Sequence, residues 1–217
     1  GVQLVSFQGD AVNGTSVADR TPDPTRMVAC AVQARDIRRQ LNAVLGKHLP
    51  AAHEALLLPY EHAFVRQDPE TGKLYLLSAD LPWLGVRTNT AEGAHARLLG
   101  SVENPVGAKL GAATTEQDVA VLSAVLNPNN LPGKIIFMPR VGKDNMDSLR
   151  TIARAIRKHS PNARVVYDMH GATYQLADGT KIRDIQDIQD EMTATAEVLD
   201  EEGLRLDGGH YETVNDD

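Results

Sequence analysis

Lys134-Ile135-Ile136-Phe137-Met138 opens on one lysine and is otherwise apolar, and Pro132-Gly133 and Pro139 bracket it. Too short and too closely punctuated for a helix, it reads as a strand buried on both faces, as in a parallel sheet. The flanks agree. Before it, Val119, Leu122, Val125 and Leu126 recur at helical spacing behind a cap near Thr115, and Val106 to Leu110 is a further apolar strand. After it, Asp144 caps a helix bearing Met146, Leu149, Ile152, Ala153 and Ile156, and Arg164-Val165-Val166-Tyr167 is the next strand. Leu74 to Ser78 is strand-like, Ile185, Ile188, Met192, Val198 and Leu199 mark a long helix, and the last unit, around Gly209 to Glu212, is one more strand. Strand–helix alternation from residue 74 onward gives about five strands, which suits a doubly wound sheet or part of an eight-stranded barrel, and pattern alone does not choose.

Upstream the texture differs. The chain to residue 22 is irregular, with Gly9, Gly14 and Pro22 as punctuation. Asp23-Pro24 reads as an N-cap with proline in the first helical turn, Met27, Val28, Ala31, Ile37, Leu41 and Val44 follow at helical spacing, and Gly46 stops the run. A second helix is predicted from His53 to about Gln67 on Leu56, Leu57, Tyr60 and Phe64, with a turn at Asp68-Pro69-Glu70-Thr71-Gly72.

The 217 residues are 42% apolar, enough for a substantial core, and the net charge of -7 argues against a nucleic-acid partner. No apolar stretch approaches the roughly 18 residues of a membrane span. A single cysteine makes no internal disulfide, so a reducing cytoplasm is expected, and Cys30 reads as a small core residue. The chain starts at Gly1 without a methionine and ends at Asp217 without an obvious stop, which reads as a piece of something longer.

In parallel α/β folds function collects past the carboxyl ends of the strands. Those positions carry Arg87, Lys109, Arg140, His170 and Glu212, and the first three are cationic in an acidic chain. Converging cations suit a phosphorylated substrate, arginine through its fork and lysine as a point charge. Lys109 and Arg140 stand 31 positions apart, about one strand–helix unit, which predicts one common anion site. A single Lys or Arg after a strand is more often a solvated loop residue, but Lys109 interrupts the apolar run Pro105 to Leu110. His170 follows a strand in Asp168-Met169-His170-Gly171, where a lone histidine is more often structural. His210 and Glu212 alternate and share a face, plausible for a divalent metal.

Several segments, in order, carry a family resemblance. Gly9-Asp10-Ala11-Val12-Asn13-Gly14, then Asp23-Pro24, His53-Glu54-Ala55-Leu56-Leu57-Leu58, and Trp83-Leu84-Gly85-Val86-Arg87-Thr88 come first. Gly93-Ala94-His95, Asn104-Pro105-Val106 with Lys109, Asn127-Pro128, Pro132-Gly133, and Arg140-Val141-Gly142 follow. Met169-His170-Gly171 with Thr173, Lys181-Ile182-Arg183, and His210-Tyr211-Glu212 complete the set. Together they resemble the class II 3-deoxy-D-arabino-heptulosonate 7-phosphate (DAHP) synthases, and Asp80-Leu81-Pro82-Trp83 resembles versions from secondary-metabolite clusters such as those for phenazines.

The resemblance implies a (β/α)8 TIM barrel, with residues 1–72 as loop and helical segment and 73–217 as about five βα units of the same domain. It implies condensation of phosphoenolpyruvate with erythrose 4-phosphate, releasing phosphate, as the first step of the shikimate pathway, in a cytoplasmic homo-oligomer. The implied cofactor is a divalent metal, manganese before cobalt or magnesium, acting as Lewis acid on the aldehyde. By resemblance Arg87, Lys109 and Arg140 hold phosphoenolpyruvate, and Lys109, Arg140 and His170 are the catalytic set. His170 and Glu212 ligate the metal, and Lys181 lies near erythrose 4-phosphate.

Departures accompany the match. The family's metal site also takes a cysteine from an early strand and an aspartate from the last, and Cys30 sits in the wrong context for the former. Val86 replaces a glutamate, Asp168 a proline, Tyr167 an aspartate, Ala112 a proline and Ala172 an asparagine. Two readings follow: a DAHP synthase, or a diverged, non-catalytic relative that binds a phosphorylated ligand or a partner subunit. For this chain alone, turnover below about 1 per second is expected.

Overall fold

The computed structural model describes residues 23–177 and 181–212, without the side chains of Pro24 and Lys181. The stretch to residue 22, with the Gly9–Gly14 loop, lies outside the described residues.

Helix α1 spans Pro24–Leu45; the Asp23 side chain accepts the Thr25 N–H at 2.9 Å, and Gly46 ends the helix at φ 63°. Both ends are where the sequence puts them. Its apolar face differs: Met27 is buried, but Val28, Ile37, Leu41 and Val44 are exposed.

The predicted helix from His53 to Gln67 does not form. Strand β1 (Ala52–Glu54), helix α2 (Leu58–Ala63) and strand β2 (Val65–Gln67) occupy it. Pro59, which tolerates only the first helical turn, sets where α2 begins. β2 pairs antiparallel with β3 (Leu74–Leu76), Val65 opposite Leu76, across a turn whose Gly72 has φ 70°. The Leu74–Ser78 run is therefore a hairpin arm and not a barrel strand. The strand leading to Arg87 is β4 (Leu81–Leu84), buried along its length. Pro82 is tolerated there because β4 pairs with the next strand only from Trp83 onward.

Regular βα units follow. They are α3 (Ala94–Ser101), β5 (Val106–Gly111), α4 (Glu116–Leu126), β6 (Ile135–Arg140), α5 (Met146–His159) and β7 (Arg164–Asp168). Thr115 and Asp118 close a reciprocal capping box on α4. Asp144 lies in a 3-10 turn, Lys143–Asn145, and α5 starts behind Asn145, one residue later than the predicted cap. A second 3-10 turn, Met169–Ala172, precedes the two-residue strands β8 (Tyr174–Gln175) and β9 (Lys181–Ile182). Helix α6 (Ile185–Glu201) and strand β10 (Leu206–His210) complete the order. The last strand stops at His210, so Glu212 lies beyond it.

Six strands form one parallel sheet in the order β1-β4-β5-β6-β7-β10, curled into a half-barrel, one strand more than the sequence suggests. Its outer face packs Leu110, Phe137 and Val165 against Leu122, Leu126, Leu149, Ile152, Ile156 and Leu199 of the helices. Its inner face carries a smaller cluster of Ala52, Leu81, Trp83 and Met138.

Candidate active site at the carboxyl end of the half-barrel

Strand register decides which side chains meet. Aligned residues of parallel strands share a face, and that face alternates along each strand. Glu54 aligns with Trp83, Trp83 with Gly107, Lys109 with Met138, and Gly111 with Arg140. Phe137 aligns with Val165, and His210 with Asp168. Glu54, Trp83, Lys109, Arg140, Asp168 and His210 therefore share the inner face, opposite the helices.

At its centre is a polar cluster. Asp168 is fully buried, and its Oδ1 lies 2.6 Å from His170 Nδ1 and accepts the His170 N–H at 3.1 Å. Its Oδ2 meets Lys109 Nζ at 3.0 Å, an ion pair lying outside hydrogen-bond angles. Lys109, only 6% exposed, is also 3.4 Å from His210 Nε2 and sits 5.6 Å from the centre of the Trp83 ring. Trp83 meets the His210 ring edge-on at 5.1 Å. Glu212 closes the group, with Oε2 3.1 Å from His170 Nε2 and Oε1 3.3 Å from His210 Nε2.

Burial opposes ionisation of Asp168, but the His170 bond and the Lys109 and His210 charges outweigh it and hold the carboxyl far below the usual range. Burial opposes ionisation of Glu212 too, and its bonds to His170 and His210 prevail in the same way. For His170 burial disfavours the charged ring, yet Asp168 and Glu212 prevail and raise its pKa. Glu54 goes the other way. Burial raises its pKa, with Lys109 and Arg87 only partly offsetting this.

Two carboxylates, Asp168 and Glu212, two imidazoles and a buried amine thus meet at the carboxyl end of a parallel sheet. The family model of the Class-II DAHP synthetase family matches residues 33–217. The chain belongs to the class-II DAHP synthetase family. It is 36% identical over 169 residues to the phospho-2-dehydro-3-deoxyheptonate aldolase of Streptomyces coelicolor, covering 77% of this chain and 38% of that protein. It is 34% identical to a probable phospho-2-dehydro-3-deoxyheptonate aldolase of Pseudomonas fluorescens, covering 100% of this chain and 57% of that protein. A probable chloroplastic counterpart of Catharanthus roseus is 38% identical over 154 residues, 70% of this chain and 31% of that protein. The chain thus spans between 31% and 57% of the length of these relatives.

Among the residues that the DAHP synthase resemblance singles out, Lys109, His170 and Glu212 come together in the cluster. Arg140, half-buried, ends β6 one strand away, on the same face as Lys109. Arg87 is exposed in the turn after β4. The backbone of Lys181 lies in β9, and its side chain is outside the described residues. Cys30 lies on α1 and lines a small cleft with His53, Glu54 and Tyr60, and it is not among the clustered Asp168, His170 and His210.

Sequence reasoning gave no site role to Asp168, Trp83, Glu54 or Glu191. Glu54 sits so close to Gly85 that a Cβ there would fall 2.0 Å from its Oε1, so glycine is what admits the carboxylate. Glu191 of α6, buried, accepts the Gly142 N–H at 2.9 Å and the Tyr167 hydroxyl at 3.2 Å. A Cβ on Gly171 would fall 2.1 Å from it. Glu191 therefore fixes the two turns that follow Arg140 and carry His170. Glu54 was legible as part of His53-Glu54, but nothing in sequence spacing shows that it faces Lys109 and Arg87.

The donors suit the divalent metal on which the family generally depends. Single ligand atoms of Asp168, His170 and His210 lie within 4.8 Å of one another, and Glu212 touches both histidines. Neutral imidazole and carboxylate together are what a first-row divalent ion takes. No helix among the described residues is long and apolar enough to cross a membrane.

Proposed function

We propose that this chain carries the phosphoenolpyruvate and metal half of a 3-deoxy-7-phosphoheptulonate synthase site. The reaction condenses phosphoenolpyruvate with erythrose 4-phosphate and water to DAHP and phosphate, opening the shikimate pathway in the cytoplasm as part of a homo-oligomer. The observation that carries this reading is the convergence of Lys109, His170, His210 and Glu212 at one end of the inner face.

Lys109 and Arg140, with Arg87 at the rim, hold the carboxylate and phosphate of phosphoenolpyruvate. His170 through Nε2, His210 through Nε2 and Glu212 hold a divalent ion, manganese first. When bound, that ion supplies Lewis-acid polarisation of the aldehyde oxygen. The enol carbon attacks the aldehyde carbon, water adds at C2, and the C2–O bond to phosphate breaks. Lys109, Arg140 and His170 are the groups nearest this chemistry. The cleft of about 520 Å³ lined by Gly142, Asn145, Gly171, Thr173 and Tyr174 adjoins the turn bearing His170, and with Lys181 it supplies room for erythrose 4-phosphate.

One observation favours the second reading, a relative that binds a phosphorylated ligand without turnover. The Lys109 amine is paired with Asp168, which neutralises the charge that would otherwise act on bound phosphoenolpyruvate and leaves Arg140 and Arg87 to hold its anionic groups. Phosphate release from phosphoenolpyruvate distinguishes the two. Release that needs both erythrose 4-phosphate and manganese, with turnover for this chain below about 1 per second, is the expected result. Release without the sugar phosphate contradicts the synthase. No release at all, with binding retained, establishes the binding protein.

A further inference from the structure

We propose that Asp168 is a positioning residue that ties the cation site at His170, His210 and Glu212 to the anion-binding amine of Lys109. The inference rests on the reading of the site as a metal and phosphoenolpyruvate site. It assigns a task to a residue that neither the family match nor the relatives single out.

The two oxygens of Asp168 do different things. Oδ1 is 2.6 Å from His170 Nδ1 and also accepts the His170 backbone N–H, so the ring is held from two points. With Nδ1 engaged by Asp168, the ring turns Nε2 toward Glu212, 3.1 Å away, so a cation replacing the Nε2 proton there would meet the tautomer and orientation a metal needs. Oδ2 faces Lys109 Nζ at 3.0 Å and makes no hydrogen bond among the described residues. The carboxylate is fully buried, so water does not screen either contact.

Two consequences of opposite sign follow. Without Asp168, His170 loses its orienting acceptor and an unneutralised ammonium faces the cation site, so cation binding weakens. The same loss frees Lys109, which otherwise must leave Asp168 before an added anion gains its full charge, so anion binding strengthens. A merely structural aspartate would weaken both.

Calorimetric titration of the 217-residue chain with manganese and, separately, with inorganic phosphate tests this. Asp168→Ala is expected to bind manganese about 10- to 100-fold more weakly, the usual cost of losing a group that orients a metal ligand. The variant is expected to bind phosphate several-fold more tightly in the absence of metal. In Asp168→Ala combined with Lys109→Met, manganese binding is expected to stay weak. Full recovery there would mean that charge alone acts, and would overturn the positioning role. Wild-type chain that binds manganese, with Asp168→Ala binding both ions as the wild type does, overturns the inference and leaves the site reading intact. Wild-type chain that binds no manganese overturns both. Because a buried substitution can unfold the chain, histidine nitrogen-15 spectra of the wild type with zinc give a second test. A proton on His170 Nδ1 with zinc on Nε2 is expected, and zinc on Nδ1 refutes the proposal.

Discussion

Lys109 Nζ and His210 Nε2 lie 3.4 Å apart although 101 positions separate them in the chain. The amine on β5 and the ring on β10 meet only because the sheet curls, and Asp168 on the strand between β6 and β10 touches the same amine. Lys109→Met should therefore act in two ways. Phosphoenolpyruvate affinity measured by calorimetry should fall about 10-fold or more, a charge-assisted contact being worth roughly 1.5–3 kcal/mol. Urea unfolding should show a loss of roughly 3 kcal/mol, because a buried carboxylate loses its cation. Unchanged affinity would remove Lys109 from the anion site.

Glu191 holds two turns from behind the sheet. In Glu191→Ala the Gly142 N–H and the Tyr167 hydroxyl lose their acceptor, at about 1–3 kcal/mol for each buried donor left unmade. Urea unfolding is expected to report at least that loss, and manganese binding is expected to weaken as the His170 turn loosens. Glu191→Gln keeps an acceptor oxygen in place and should recover most of the stability. A variant as stable as the wild type would show that the turns hold themselves.

The half-buried Lys134, whose Nζ donates to the Val102 and Asn104 carbonyls, has its pKa pulled down by burial to about 8. An unfolded lysine titrates near 10.4, so between about 8 and 10.4 the unfolded chain binds more protons. This group's share of the stability therefore rises with pH across that window and is flat below it. Melting temperatures of wild type and Lys134→Met, compared from pH 7 to 10.5, are expected to diverge upward for the wild type. Parallel curves would contradict the shift.

Much of this was legible in the sequence, for identifiable reasons. β5, β6 and β7 are apolar runs between helices with clear faces, and Thr115 and Gly46 mark helix ends by chemistry that needs no tertiary context. β1 was hidden because it is three residues long and its sequel, Leu56, Leu57, Tyr60 and Phe64, keeps helical spacing. β4 was hidden by Pro82, which reads as a strand breaker until its pairing is known. Leu74 to Leu76 looks like a barrel strand because a hairpin arm and a barrel strand share apolar side chains and differ only in partner. In the site, Lys109, His170 and Glu212 stood out as polar residues at apolar strand ends. Asp168 did not, since an aspartate before a turn ordinarily caps it, as this one does for His170, and only the curl of the sheet brings it to Lys109.

Trp83 is the chain's one tryptophan, 1% exposed, and its ring lies 5.1 Å from His210 and beside Lys109. It reports on the inner face and on nothing else in the chain. The most direct test of a metal site there is quenching of its fluorescence by paramagnetic manganese. Saturable quenching is expected, with the dissociation constant that calorimetry gives, and it should weaken about 10-fold or more in His170→Ala, where a direct ligand is gone. Manganese that binds by calorimetry without quenching Trp83, or that quenches equally in His170→Ala, would place the ion elsewhere and contradict the site.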